Sequence, residues 1–179
     1  EKTLIKWAEV AADINVKYLR IFPSHAELNK EDIVKMLKLA SDVVKDYPIE
    51  LLLETHGYIS KGKDIKEVLD RADTDNIFAI WDIAHTIVNG ETVSEAFKYI
   101  SPYLKHVHIK DFEKVKEEDP DNPYNAWEKF VQFSEGDFPL EELFNVLKNN
   151  DYQGVVSVEI NAEYASVEEY LMGAKKLFE

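Results

Sequence analysis

Apolar residues recur along the chain with two alternating periods. In residues 3–14, Leu4, Ala8 and Ala11 follow the three- and four-residue spacing of one helical face, and residues 18–22 (YLRIF) then form a short run of β-forming residues. The same order, helix and then strand, repeats to the end of the chain. The pattern predicts helices at 3–14, 30–46, about 63–72, about 92–100, 139–149 and 166–178, and strands at 18–22, 49–56, 77–83, 104–110 and 154–160.

Repeated βα units with mostly apolar strands predict a parallel α/β sheet that is buried on both faces, either doubly wound or closed into a barrel. The sequence contains neither G-x-G-x-x-G nor G-x-x-x-x-G-K-[ST], so the nucleotide-binding open sheets lose their main support and the barrel is favoured. A closed (β/α)8 barrel has eight strands in about 250 residues. We therefore interpret residues 1–179 as one partial TIM-barrel domain, a C-terminal portion with about five βα units and without the N-terminal strands.

The first and last predicted strands, 18–22 and 154–160, would present apolar, unpaired edges if they stood alone, and natural proteins cover such edges. The chain also does not begin with Met. We expect a missing N-terminal segment, a second chain or a dimer partner to cover the edges.

One segment, residues 112–138, contains no clear strand. Structureless loops of this length inside compact domains are usually functional or disordered. The aromatic residues Tyr124, Trp127, Phe130 and Phe133 favour a partly ordered lid or a short helix, and a surface helix that packs on a neighbouring element is an equal alternative.

Composition narrows the chemistry. The formal net charge of −14 is unfavourable for nucleic acid and for anionic membranes, so we expect neither as a partner. No apolar run approaches the roughly 20 residues that span a bilayer, and the first residues do not resemble a signal peptide, so the expected location is the cytoplasm. Because the chain has no cysteine, any metal must be bound by His and carboxylate.

Four of the five predicted strands place an ionisable residue near the C-terminal end: Glu54, Asp82, His108 and Glu159. In a parallel barrel these ends surround one mouth, where barrel enzymes have their active sites. A single acidic residue at a strand end is usually a solvated charge, but three carboxylates in one apolar mouth repel each other unless a cation holds them. The ligand set suits one Mn²⁺ ion first, with Mg²⁺, Co²⁺ and Zn²⁺ as alternatives.

The motifs E-T-H, W-D-I-A-H, H-V-H-I-K-D, S-E-G-D-F and S-V-E-I, in this order, resemble the xylose isomerase-like superfamily of sugar and sugar-phosphate isomerases and epimerases. The resemblance implies that Glu54, Asp82, His108 and Glu159 bind one divalent metal. It also implies that Glu54 and Glu159 are catalytic: one removes the proton beside the substrate carbonyl and the other returns it, through an enediolate that the metal stabilises. His85, three residues after Asp82, resembles the substrate-binding histidine of the family.

Other polar residues are candidates for substrate binding. His56 either orients a ligand or contacts the sugar, or it is a buried histidine whose hydrogen bonds are satisfied within the protein. Lys110 is a candidate for a hydroxyl or phosphate group, whereas solvated charge explains Lys114 better. Arg20 either meets an anionic group or pairs with Glu54. In the segment that resembles the glycine-containing loop of the family, we expect Gly136, next to Glu135, to serve a backbone turn.

The expected partner is a small-molecule sugar or sugar phosphate. Within the superfamily, the strongest alternative is a metal-dependent dehydratase of the inosose type, with the same ligands but elimination in place of proton return. A non-catalytic sugar-binding barrel is the alternative from another class. A DNA-repair endonuclease of the same fold is disfavoured, because His108 is not followed by the Asp-x-His pair that its three-zinc site requires and the net charge is −14.

Overall fold

The computed structural model of the chain describes residues 1–23, 28–113, 129–131, 133, 135–159 and 167–177. The described helices are α1 (Lys2–Asp13), α2 (Lys30–Val44), α3 (Gly62–Ala72), α4 (Ile83–Val88), α5 (Val93–Ile100), α6 (Leu140–Asn149) and α7 (Val167–Leu177). The described strands are β1 (Tyr18–Ile21), β2 (Glu50–Glu54), β3 (Ile77–Asp82), β4 (Leu104–Ile109), β5 (Phe112–Glu113), β6 (Lys129–Phe130) and β7 (Val155–Val158). Each predicted helix and strand is therefore present, with ends that differ by a few residues at most.

The five longer strands form one parallel sheet in the order β1-β2-β3-β4-β7. The strands follow one another across the sheet in the same order as along the chain. Right-handed crossovers therefore place the connecting helices on one face of the sheet. The helices pack in chain order there, α1 on α2, α2 on α3, α3 on α5 and α5 on α6. A doubly wound sheet would reverse its strand order, so this topology confirms the prediction of a partial (β/α)8 barrel.

Two-residue alternation assigns the strand side chains to two faces. In β2, Leu51 and Leu53 join the hydrophobic cluster beneath the helices, whereas Leu52 and Glu54 lie on the opposite face, which is the inner face of the barrel. Strands β3 and β4 contribute in the same way to the hydrophobic cluster, with Ile77, Ala79, Trp81, Val107 and Ile109. The alternation leaves the polar strand-end residues on the inner face.

Three short elements of the structure, α4, β5 and β6, were not predicted. Helix α4 begins directly after β3, where the Asp82 side chain caps it by accepting a hydrogen bond from the Ala84 amide. It has six residues, too few for a hydrophobic period to be recognised. Strands β5 and β6 form a short antiparallel ladder within the segment predicted to contain no clear strand. The expectation of a short helix there is wrong at Phe130, which is in β6; Tyr124 and Trp127 lie outside the described residues.

Strands β1 and β7 are the two edges of the sheet, as expected. Beside β1, a groove of about 500 Å³ is lined mainly by apolar side chains, among them Trp7, Phe22, Met36 and Leu37. Trp7 and Met36 are more than half exposed. The presence of further polypeptide over this edge stays a prediction. No helix among the described residues combines the length and the apolar character needed to cross a membrane.

Candidate metal centre

Glu54 is the last residue of β2, and its side chain is completely buried. Its Oε2 accepts hydrogen bonds from Arg20 Nε at 2.8 Å and from Arg20 Nη2 at 2.5 Å. Its Oε1 lies 2.9 Å from His108 Nδ1. Burial acts to raise the pKa of Glu54, but the His108 and Arg20 side chains outweigh burial and lower the pKa to about 2. The carboxylate is therefore ionised, and the two oxygens have different partners.

Asp82 is the last residue of β3 and also the N-cap of α4, so its Oδ1 is engaged by the Ala84 amide at 3.0 Å. The other oxygen, Oδ2, lies 2.7 Å from Lys110 Nζ and 3.6 Å from His85 Nε2. The side chain is only 1% exposed, and this burial raises the pKa of Asp82 to about 6 although Lys110 opposes the shift. Helix capping thus fixes which oxygen faces the mouth of the barrel.

His108 lies in β4, directly opposite Asp82 in the register of the two strands. The ring of His106, two residues earlier on the same face, stands edge-on to the ring of His108 at 4.9 Å between centroids. His106 Nε2 is hydrogen-bonded to Ser157 Oγ of β7 at 2.7 Å. The chain of contacts from β7 through His106 limits how the imidazole of His108 can turn.

Ligand atoms of Glu54, Asp82 and His108 lie within 4.8 Å of one another. Within the described part of the chain, Glu54 Oε1, Asp82 Oδ2 and His108 Nδ1 are buried and make no well-directed hydrogen bond, although Oε1 and Nδ1 lie 2.9 Å apart and Oδ2 forms an ion pair with Lys110. Buried polar atoms rarely lack a partner, and two carboxylates with one imidazole suit a divalent cation. These three residues therefore fit a metal ion; we call them the three-ligand cluster.

Glu159 follows β7 and is outside the three-ligand cluster. Its amide donates to the Ile109 carbonyl at 2.9 Å, and its Oε2 accepts a hydrogen bond from Lys110 Nζ at 2.5 Å. Burial acts to raise the pKa of Glu159, but Lys110 outweighs burial and lowers it. With a side chain that is 42% exposed, Glu159 is the most accessible of the four predicted ligands. Its role as a ligand stays a prediction.

Lys110 links Glu159 to the three-ligand cluster, because its ammonium contacts both Glu159 Oε2 and Asp82 Oδ2. Burial acts to lower the pKa of Lys110, but the ion pairs with Asp82 and Glu159 outweigh burial and raise it. The lysine is therefore protonated. Arg20 pairs with Glu54, which is one of the two alternatives that the sequence left open for it.

The rings of His56 and His85 are in contact at the same mouth, tilted by 57° with centroids 4.4 Å apart, and the ring of Phe22 lies 4.8 Å from that of His56. Burial lowers the pKa of both histidines, that of His85 to about 3. Both imidazoles are therefore neutral at neutral pH. Nδ1 of His56 is buried without a hydrogen-bond partner among the described residues, and a role of His56 in substrate binding stays a prediction.

Sequence reasoning missed two supporting residues. Thr55, between Glu54 and His56, is fully buried, and its hydroxyl is bonded to the backbone of Asp82. Asp111 follows Lys110 and accepts hydrogen bonds from the Phe112 and Gly136 amides. Each of the two directly follows a predicted site residue in the sequence, and this adjacency is the signal that could have identified them.

Gly136 was expected to serve a turn, and the chain does bend at residues 135–138. Gly136 is not, however, among the described glycines with positive φ, which are Gly57 and Gly90. The Asp111 carboxylate and the Phe112 carbonyl instead occupy the space that a Cβ at Gly136 would need. Lys114 lies outside the described residues.

The family model described as xylose isomerase-like TIM barrel matches residues 2–177. The inosose dehydratase of Clostridium perfringens is 26% identical over 169 residues, which are 87% of this chain and 57% of that protein. The chain thus spans little more than half the length of this curated relative.

Three solved structures share the fold. The IolI protein with a bound zinc atom has a TM-score of 0.78 at 22% identity, covering 99% of this chain and 66% of that one. The probable 3-DHS dehydratase AsbF of Bacillus anthracis has a TM-score of 0.79 at 19% identity, covering 99% and 69%. The D-allulose 3-epimerase of Methylomonas sp. has a TM-score of 0.74 at 15% identity, covering 98% and 68%.

Proposed function

The chain belongs to the xylose isomerase-like TIM-barrel family, and from this premise we propose that it carries the metal site of a dehydratase that removes water from a cyclic polyhydroxy ketone of the inosose type. The observation that carries the proposal is the contact between Glu159 and Lys110, a carboxylate and an ammonium 2.5 Å apart beside the three-ligand cluster. The curated relative named inosose dehydratase supports the same reaction.

Dehydration next to a ketone needs one base and one acid. The Glu159 carboxylate takes the proton from the carbon beside the carbonyl, and its exposed position makes it accessible to a substrate. The Lys110 ammonium gives a proton to the hydroxyl group that leaves from the next carbon. The C–H and C–O bonds break, a carbon–carbon double bond forms, and the hydroxyl departs as water.

The contact between Lys110 and Glu159 also closes the catalytic cycle. After one turnover, Glu159 holds an extra proton and Lys110 lacks one. Because the two side chains are hydrogen-bonded, the proton returns from the carboxyl group to the amine without an external donor. The reaction then has no net proton exchange with the site, and its only products are the dehydrated ketone and water.

The remaining predicted residues bind and orient. Glu54, Asp82 and His108 would hold the divalent ion, with Glu159 as the predicted fourth ligand, and Mn²⁺ stays the predicted metal. Bound there, the ion supplies Lewis-acid polarisation of the ketone oxygen. The neutral imidazoles of His56 and His85 exchange hydrogen bonds with substrate hydroxyls, a task that needs no charge.

A metal-dependent isomerase or epimerase of sugars or sugar phosphates, the main prediction from the sequence, is the second candidate. It is favoured by the position of Glu54 and Glu159 at the same end of the sheet, as two proton carriers would require. Glu54, however, is fully buried between Arg20 and His108. A carboxylate held in this way is suited to ligation more than to proton transfer, so the dehydratase has the better support.

The two reactions and the non-catalytic barrel are separated by one experiment. The complete protein, loaded with Mn²⁺, is incubated in D₂O with an inosose and with a panel of ketoses and ketose phosphates, and products are followed by NMR. A dehydratase converts the inosose to an unsaturated product and releases water. An epimerase incorporates deuterium at the α-carbon and keeps every hydroxyl, whereas a sugar-binding barrel gives no product.

Single substitutions of Glu159 and Lys110 test the two roles. Glu159→Gln and Lys110→Met are expected to lower turnover at least about 100-fold, the usual scale of acid or base loss. The matched control is Glu141→Gln, a carboxylate-to-amide change on the exposed surface of α6, which is expected to keep the wild-type rate. Full turnover by Glu159→Gln would overturn the proposed role of this carboxylate.

A further inference from the structure

Two internal cations touch the three-ligand cluster in different ways. Arg20 directs two nitrogens to a single oxygen, Glu54 Oε2. Lys110 places one ammonium between Asp82 Oδ2, at 2.7 Å, and Glu159 Oε2, at 2.5 Å. Both side chains neutralise carboxylate charge, but the two differ in whether the oxygen that they bind faces the cluster.

The protein itself determines which oxygens are left for a cation. Asp82 Oδ1 is used by the N-terminus of α4, so Oδ2 is the oxygen of Asp82 that faces the cluster. Glu54 Oε2 is used by Arg20, so Oε1 is the oxygen of Glu54 that faces it. Arg20 therefore binds Glu54 Oε2, which does not face the cluster. Lys110 instead binds Asp82 Oδ2, the oxygen of Asp82 that does face the cluster.

We propose that Lys110 is a competing internal cation, which a divalent ion must displace from Asp82, and which then becomes the hydrogen-bond donor to the substrate while it keeps its contact with Glu159. The proposal rests on the proposed function, because it assumes that the cluster binds a divalent ion. A divalent ion and an ammonium that share one carboxylate oxygen repel each other strongly in a site with little water. The ammonium therefore moves away from Asp82 as the ion binds.

The consequence is an order of events. Lys110 cannot serve a substrate fully while Asp82 and Glu159 both hold it, and binding of the ion removes Asp82 as a partner. Loading of the metal thus prepares the proton donor as well as the Lewis acid. Conversely, the ammonium contacts Asp82 and Glu159 when no metal is bound, so the metal-free protein does not carry two unpaired carboxylates there, while Arg20 pairs with Glu54.

Variants that remove Lys110 or Arg20 distinguish competition between Lys110 and the metal ion from a simple effect of net charge. Lys110→Met is expected to bind Mn²⁺ about tenfold more tightly than the wild type in calorimetry, since one ion pair no longer has to be broken. Arg20→Met, the matched control, also removes one positive charge, but it frees Glu54 to turn away from the cluster. It is expected to bind Mn²⁺ no more tightly than the wild type.

A second pair of measurements guards against misfolding. Lys110→Arg keeps the charge and is expected to retain wild-type affinity for Mn²⁺. Without metal, both methionine variants are expected to unfold at lower denaturant concentrations than the wild type. Loss of metal-free stability together with a gain in metal affinity is thus expected of Lys110→Met only.

The outcomes distinguish the two proposals. If the wild type binds Mn²⁺ and Lys110→Met binds it equally or more weakly, the competition is refuted while the metal site stands. Equal tightening in both methionine variants would reduce the effect to net charge and also refute the competition. If neither the wild type nor Lys110→Met binds Mn²⁺, Zn²⁺, Mg²⁺ or Co²⁺, both the competition and the proposed function are wrong.

Discussion

The hydroxyl of Thr55 forms two hydrogen bonds with the backbone of Asp82: it accepts one from the Asp82 amide at 2.8 Å and donates one to the Asp82 carbonyl at 3.1 Å. Thr55 directly follows Glu54, so this side chain ties together the ends of β2 and β3, which supply two residues of the three-ligand cluster. The spacing between the Glu54 and Asp82 carboxylates therefore depends on the Thr55 hydroxyl, which bonds to the backbone and not to either carboxylate.

Replacement of this hydroxyl by a methyl group tests the tie. Thr55→Val has the same shape but leaves a buried amide and carbonyl without their partner, so we expect a loss of roughly 1–3 kcal/mol of unfolding free energy. We also expect weaker Mn²⁺ binding, by about 10-fold. Chemical denaturation and calorimetry measure the two effects. Thr55→Ser, which keeps the hydroxyl, should retain most of both, and an unaffected Thr55→Val would show that the strand ends hold their spacing without it.

The two oxygens of Asp82 have separable functions. Asp82→Asn keeps an oxygen that can cap α4 and removes the negative charge that faces the cluster, so we expect a folded protein with metal affinity lowered roughly 100-fold or more. Asp82→Ala removes the cap as well and should lower stability by a further ~1 kcal/mol. Thermal unfolding and calorimetry on the pair resolve the two losses. Equal stability of the two variants would mean that the cap contributes nothing.

Two glutamates at helix N-termini predict opposite responses to pH. Glu91 is buried and accepts hydrogen bonds from the Gly62 and Lys63 amides at the start of α3, and burial raises its pKa despite these bonds. A raised pKa in the folded state contributes stability that is present at low pH and is lost as pH rises through the folded pKa. The stability of the wild type relative to Glu91→Gln should therefore fall as pH rises from about 4.

Glu95 provides the contrasting case, because it forms a capping box with Thr92 at the exposed start of α5, and the Thr92 amide lowers its pKa. A lowered pKa contributes stability above the unfolded pKa that is lost as pH falls. Relative to Glu95→Gln, the wild type should therefore become less stable toward low pH. Denaturant titrations of the wild type and both variants at a series of pH values test the two opposite pH dependences. The same pH dependence for Glu91→Gln and Glu95→Gln would contradict the opposite pKa shifts of the two glutamates.

The contact between Asp111 and Gly136 predicts a steric requirement for glycine. Gly136→Ala would place a methyl group where the Asp111 carboxylate and the Phe112 carbonyl already lie, so we expect a loss of roughly 1–3 kcal/mol of unfolding free energy. Gly90→Ala is the comparison, since its Cβ would meet open space and only the positive φ of Gly90 is unfavourable. That variant should lose about 1 kcal/mol. Denaturation of both variants tests whether crowding at Gly136 is the larger effect.

Helices and strands were predictable where their periodicity was long enough to be recognised. The stripe of Ile33 and Leu37 in α2 and the apolar run of β2 required no knowledge of neighbouring elements. Helix α4 was missed because its cap, Asp82, belongs to the preceding strand. The ladder between Phe112 and Phe130 was missed because its two strands are too short to have a pattern of their own and exist only through their pairing.

By itself, the sequence determined the order of the βα units and the type of residue at each strand end. Those properties follow from local periodicity, and parallel strands bring their C-terminal ends to one mouth. Only the tertiary structure decided which oxygen of Glu54 and of Asp82 faces the cluster, and that Lys110 lies between Asp82 and Glu159. These contacts join residues that are far apart in the chain, and they depend on side-chain conformations that packing selects and that no local pattern encodes.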